Sequence, residues 1–189
     1  MNPPADKLPL AKKARHAFMS KKIYLAGFDV FRADAVAHGL ALKQVCERFG
    51  FEGLYPLDNA CPGHLSAERA ARWIYDANIA LIRQADMLVA NLNNFRGYEP
   101  DSGTCFEIGF AQALKIPTWA YCSQRNALAE QIPHKKAEDG QFLDEDGYLI
   151  EDFNLPRNLM LSCSTEIVHG DIEDCLRQIS LRTTLPCTG

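Results

Sequence analysis

The feature that most constrains this chain is the apolar run MLVANL at residues 87–92, which lies between two stretches of helical periodicity. A strand with one wet face alternates polar and apolar side chains, whereas a run of this kind suits a strand covered on both faces. Such covering takes helices, and the rest of the chain supplies them. Residues 23–26 form a short apolar run closed by Gly27, and 33–49 carry apolar residues at helical spacing. An extended segment near 53–57 is followed by the polar break DNACPG and a long helix over 66–85, with Ser66 as its N-cap. The loop NNFRGYEPDSG leads into a helix beginning near Thr104, and residues 117–122 supply another strand. A final helix is expected over 164–181, capped by Ser164 or Thr165.

Strands alternating with helices predict a single-domain α/β fold, with a flavodoxin-like or Rossmann-like parallel sheet sandwiched by helices. Residues 123–153 are polar and weakly periodic, too long for a plain connector, and are expected to form a functional flap or an excursion carrying a small hairpin. Residues 1–20, rich in Pro and Lys, are expected to be a disordered tail ahead of a domain over 21–189.

Composition narrows the function classes. A formal net charge of -4, with Lys and Arg scattered along the chain, offers no stripe for tracking a phosphate backbone, so a nucleic acid polymer is not an expected partner. No apolar run reaches the roughly 20 residues that span a bilayer, and residues 1–20 lack the apolar stretch of a signal peptide. Seven cysteines without a C-x-x-C pair read as reduced thiols in a cytoplasm. The five histidines, His16, His38, His64, His134 and His169, show no metal-ligand spacing, and no metal is assigned. His38 and His169 fall in stretches that read as helix.

In an open parallel sheet the ligand crevice lies beyond the carboxyl ends of the strands, where strand order reverses. Two loops converge there: Gly27-Phe28-Asp29 after the first strand, and the segment from Glu99 to Thr104 after the third. In PDSGTCFEIG, Gly103 permits a tight turn, Thr104 can cap the following helix, and Glu107 is expected within the first helical turn. A positive helix end would favour its ionised form and make it a nucleophile, although an acidic residue there more often only complements the helix dipole. Asp101 could be a second acidic group in the crevice or a turn residue bonding its own backbone. Two carboxyl groups suit glycosyl chemistry, one attacking the anomeric carbon while another helps the departing group.

Residues 78–117, NIALIRQADMLVANLNNFRGYEPDSGTCFEIGFAQALKIP, resemble the central motif of the nucleoside 2-deoxyribosyltransferase family, where an aspartate-glycine loop precedes a nucleophilic glutamate in an E-[LIV]-G-[YF]-A helix. The blocks KKIYLAGFDVF, YPLDN and PRNLM stand in the family's order around it. The resemblance implies a catalytic set of Glu107 as nucleophile, Tyr24 beside it, and Asp101 at the 5′ end of a deoxyribose. It implies a base-binding loop at Phe28 and Asp29, and a pair, Asn158 and Met160, that enters the neighbouring subunit's site. A homo-oligomer follows, a dimer or an assembly of dimers. The implied activity is transfer of a 2-deoxyribosyl group from a 2′-deoxynucleoside to a free nucleobase, without a cofactor. Hydrolysis of the N-glycosidic bond and a non-catalytic nucleotide-sensing module are the alternatives.

One position departs from the family pattern. Several members carry an aspartate that helps protonate the base where this chain has Asn78, and an amide donates no acid proton. Asn78 then only orients the base, or Asp76 or Asp29 takes over protonation, or bases that leave more readily are preferred. A carboxylate at Asp101 would also repel a 5′-phosphate, favouring free nucleosides. Trp73 and Tyr75 are expected in the core or at a subunit contact, and Arg96 either pairs with the acidic cluster or closes over substrate.

Overall fold

The computed structural model describes residues 20–184; the expected tail lies outside the described residues except for its last position, as do residues 185–189. Strand β1 (Lys22–Ala26) leads through a 3-10 turn at Phe28–Phe31 to helix α1 (Ala35–Arg48) and strand β2 (Glu52–Leu54). Helix α2 (Ala67–Gln84), strand β3 (Met87–Asn91), helix α3 (Ser102–Ala113) and strand β4 (Thr118–Cys122) follow. The excursion contains a short helix α4 (Leu128–Gln131) and strands β5 (Lys135–Lys136) and β6 (Phe142–Leu143), which pair antiparallel as the expected small hairpin. Helix α5 (Leu159–Ser164), strand β7 (Glu166–His169) and helix α6 (Ile172–Thr184) complete the described chain.

The main sheet is parallel with strand order β2-β1-β3-β4-β7. Every residue of β3 and β4 is buried, as expected of central strands with helices on both sides. Side chains alternate between two cores. Ile23, Leu25, Met87, Val89, Trp119 and Tyr121 point to one, where Cys46 of α1 and Leu176 and Ile179 of α6 meet them. Tyr24, Ala26, Leu88, Ala90 and Ala120 point to the other, against Ile82 of α2, Ile108 and Ala111 of α3, and Leu161 of α5. That parity sends the Tyr24 side chain toward α3.

Two expectations fail on the C-terminal side. Residues 164–181 are not one helix: α5 ends at Ser164, β7 adds an edge strand, and α6 starts at Ile172. Neither Ser164 nor Thr165 caps α6; the Asp171 carboxylate accepts from the backbone N–H groups of Glu173 and Asp174. A four-residue strand with exposed ends, Glu166 and His169, carries too little apolar signal to interrupt a helical reading. His169 is consequently a strand residue. The segment expected to be extended over 53–57 closes earlier, because Asp58 accepts from the Tyr55 N–H and folds 56–58 into a 3-10 turn.

Arg157 joins the excursion to the sheet. It is completely buried, and its five N–H groups reach Leu92 O, Gln131 Oε1, Pro156 O, Asn94 Oδ1 and Cys122 Sγ. All five acceptors are uncharged, so hydrogen bonds rather than an ion pair satisfy this cation.

Candidate active site

Strand order reverses between β1 and β3, whose ends pair at Ala26 and Ala90. Immediately beyond them two side chains crowd Gly27: a Cβ there would stand 2.8 Å from Asp29 Oδ2 and 2.9 Å from the Asn91 Cβ. Glycine is required there by close approach, and the gap opens into a cavity of about 550 Å³. Its wall holds Gly27, Asp101, Gly103 and Glu107 together with Asn59, Cys61, Trp73 and Asn78. Phe31, Val30, Pro56 and Ile74 make much of it apolar.

On this wall Glu107 meets Tyr24: the Tyr24 hydroxyl donates to Glu107 Oε1 at 2.5 Å. Glu107 lies in the second turn of α3, one turn later than expected, because the helix begins at Ser102 and not at Thr104. Its electrostatics also differ from expectation. Burial pushes its carboxyl group up to about 7, the hydrogen bond from Tyr24 pulls it down, and the negative charge of Asp101 adds to the rise. Tyr24 is itself held protonated well above the usual phenol range, by burial first and then by Glu107. The pair is therefore a hydroxyl donor facing a carboxyl group that ionises near neutrality.

Asp101, rather than Thr104, caps α3. Its Oδ2 accepts from the Thr104 backbone N–H at 3.0 Å and from the Thr104 hydroxyl at 3.1 Å. Gly103 lies inside the helix instead of in a tight turn, and a Cβ there would come within 3.0 Å of that cap oxygen. Both reach the cavity wall.

The remaining candidates separate. Asp29 is buried behind Gly27, where Asn91 Nδ2 donates to it at 2.9 Å and His38 Nε2 lies 3.1 Å away. Asp76 is on the exposed face of α2, paired with Arg72 at 3.1 Å. Neither is on the cavity wall. Phe28 is off it as well and stacks on Phe95, with ring centroids 5.1 Å apart. Phe31, which does line the cavity, also stacks on Phe95, with ring centroids 5.3 Å apart. Arg96 neither pairs with the acidic cluster nor enters the cavity; its guanidinium covers the rings of Phe31 and Phe95.

Asn78 is on the wall, and its Oδ1 is buried without a hydrogen-bond partner among the described residues. Trp73 also lines the cavity, which its expected core or interface role missed; Trp73 with Ala77, and Ile74 with Asn78, are the pairs of α2 four residues apart that reach it. Four-residue spacing along α2 held that signal, but reading it needed the position of the 56–61 loop. Asn158 and Met160 line a different cavity, with Glu99, Pro100 and Cys105. Asn158 caps α5, donates to Glu151 Oε1 at 2.7 Å, and leaves Met160 71% exposed. Among the described residues, no group of three or more His, Cys, Asp or Glu side chains is placed to hold a metal ion, and no helix is long and apolar enough to cross a membrane.

Fold and site together define an α/β domain of the doubly wound type, with a carboxyl-hydroxyl pair set in an apolar crevice at the point where strand order reverses. A profile described as nucleoside 2-deoxyribosyltransferase matches residues 23–160. Among solved structures, the chain is similar to a 2-desoxiribosyltransferase from Leishmania mexicana, at 30% identity and a TM-score of 0.69, over 87% of this chain and 99% of that one. It is also similar in fold to a conserved protein from Enterococcus faecalis V583, at 24% identity and a TM-score of 0.59, over 86% of this chain and 99% of that one. A search of curated proteins finds no match. The chain belongs to the nucleoside 2-deoxyribosyltransferase family.

Proposed function

We propose that this protein transfers a 2-deoxyribosyl group from a 2′-deoxynucleoside to a second nucleobase, through an ester formed on Glu107. The 2.5 Å contact between the Tyr24 hydroxyl and Glu107 Oε1, at the wall of an apolar cavity, carries the reading. Tyr24 holds one carboxylate oxygen, which fixes the rotamer and leaves the group's other oxygen as the nucleophile toward C1′. Attack forms the C1′–O bond as the bond to the first base breaks. The second base then displaces the carboxylate, so two inversions give retention.

Asp101 accepts a hydrogen bond from the 5′-hydroxyl in this reading. Its cap bonds both go to Oδ2, which orients Oδ1 for a ligand. Family membership supports deoxynucleoside and free base as substrates. Asn158 and Met160 complete a neighbouring subunit's site in a homo-oligomer, for which Met160's exposure leaves the side chain available.

The test is chromatographic. One deoxynucleoside is incubated with and without a second free base, beside Glu107→Ala. A new deoxynucleoside made only by the wild type is the expected result. Free deoxyribose with no new nucleoside would replace transfer by hydrolysis, and no turnover with intact binding would leave a sensing module.

A further inference from the structure

Departure of the base is the step for which the cavity supplies no spare acid. Three titratable side chains stand on its wall: Glu107, Asp101 and Cys61. In the transfer reading, on which this inference rests, Glu107 must be ionised to attack and cannot donate a proton in the same step. Asp101 is tied at Oδ2 as the cap of α3 and serves the sugar. Cys61 carries a thiol, ordinarily a far weaker acid than a carboxyl group. The carboxylates that might have served lie elsewhere, Asp29 bonded to His38 and Asn91 behind Gly27, Asp76 paired with Arg72 outside.

What else the wall offers that can hydrogen-bond a base is uncharged: the amides of Asn59 and Asn78 and the ring N–H of Trp73. A carboxamide presents a donor and an acceptor side by side, so it can match the edge of an oxo base or of an amino base by turning over. Asn78, whose Oδ1 has no partner among the described residues, is suited to orient either kind without ranking them.

We infer that the base leaves this site as an anion, and that the enzyme ranks deoxynucleosides by the acidity of the free base. As Glu107 bonds to C1′, the electron pair of the C1′–N bond passes to the base nitrogen. An amide N–H of Asn78 hydrogen-bonds the resulting charge without surrendering its proton, and water protonates the base after release. The acceptor base enters by the reverse of these steps, losing its proton to water, so the exchange is balanced. Oxo bases with acidic N–H groups are good substrates; bases that need a proton to leave are poor ones.

Single-turnover release of base at fixed pH tests this in two series. One uses 2′-deoxynucleosides of 5-fluorouracil, uracil and cytosine; the other uses those of xanthine, hypoxanthine and adenine. The rate is expected to fall with decreasing base acidity, by roughly 100-fold across the pyrimidine series, the scale of an absent general acid. Asn78→Asp is expected to narrow the ratio between the ends of a series by about tenfold or more, with the gain confined to pH values where the new carboxyl group is protonated. Equal rates across the series in the wild type would overturn the inference. So would Asp101→Asn or Cys61→Ala if either lost activity only on the weakly acidic bases, since that would identify a proton donor. Absence of turnover on every substrate would instead remove the transfer reading itself.

Discussion

The 2.5 Å hydrogen bond between Tyr24 and Glu107 sets two opposing demands on one carboxyl group. Burial raises its ionisation to about 7, yet the proposed attack needs the anion. The pH profile of kcat/KM should therefore rise through an acid limb near 7. Tyr24→Phe removes a donor that favours the ionised form, so that limb is expected to move to higher pH by about one unit, the scale of a lost hydrogen bond to a charge. An unmoved limb, measured by initial rates, would detach Tyr24 from Glu107. Stability runs in the same currency with a definite sign. An unfolded glutamate ionises near 4.3, so between that value and about 7 the folded chain binds more protons, and folding weakens as pH rises. Glu107→Gln is expected to abolish transfer while raising stability at pH 8 by on the order of 1–3 kcal/mol relative to wild type. The difference should shrink toward pH 4 in urea titrations.

At the scale of elements, α3 and the excursion position the site through polar side chains that also hold backbone. Asp101 is both cap and proposed 5′-hydroxyl acceptor, and substitution separates the two roles. Asp101→Ser keeps a capping oxygen, whereas Asp101→Ala loses it, and the two should differ by about 1 kcal/mol in urea denaturation. Both are expected to raise KM for the deoxynucleoside; if Asp101→Ser kept the wild-type KM, the residue would be a cap alone. Arg157 ties the loop after β3, through Leu92 and Asn94, to the segment that carries Asn158. Arg157→Met takes away the donor to Leu92 O, Asn94 Oδ1 and Gln131 Oε1, while Pro156 O keeps its bond from Gln131 Nε2. A loss of about 3 kcal/mol or more is expected, from roughly 1–3 kcal/mol for each unsatisfied buried group after relaxation. A denaturation midpoint equal to wild type would mean that the excursion is held some other way.

The whole molecule raises the question of completeness. Asn158 and Met160 line a cavity beside α3 and α5, apart from the one that holds Glu107. If they act in a neighbouring subunit, two inactive variants must complement each other. Mixing Glu107→Gln with Asn158→Ala under subunit exchange is expected to recover activity, because one site of the mixed assembly then has both residues intact. A monomer by solution mass, or no recovery after proven exchange, would remove the pair from the active site.

Much of this was legible in the chain itself. The MLVANL run, the helical spacing around it and the turn residues between specified a parallel sheet with helices on both faces, because burial on two sides leaves no polar alternation. The order of strands placed the crevice after β1 and β3, and the GTCFEIG segment placed Glu107 near it. The edge strand β7 was not legible, since four residues with exposed ends carry little pattern. Tertiary structure alone decided what surrounds each carboxylate. Nothing in the sequence distinguishes the surroundings of Asp29, Asp76, Asp101 and Glu107. Folding turns one into a buried partner of His38, one into a surface ion pair, one into a helix cap and one into a buried carboxyl group facing Tyr24. Local pattern fixes which backbone forms, because it depends on neighbours along the chain; solvation, hydrogen bonding and charge depend on neighbours in space, which only packing brings together.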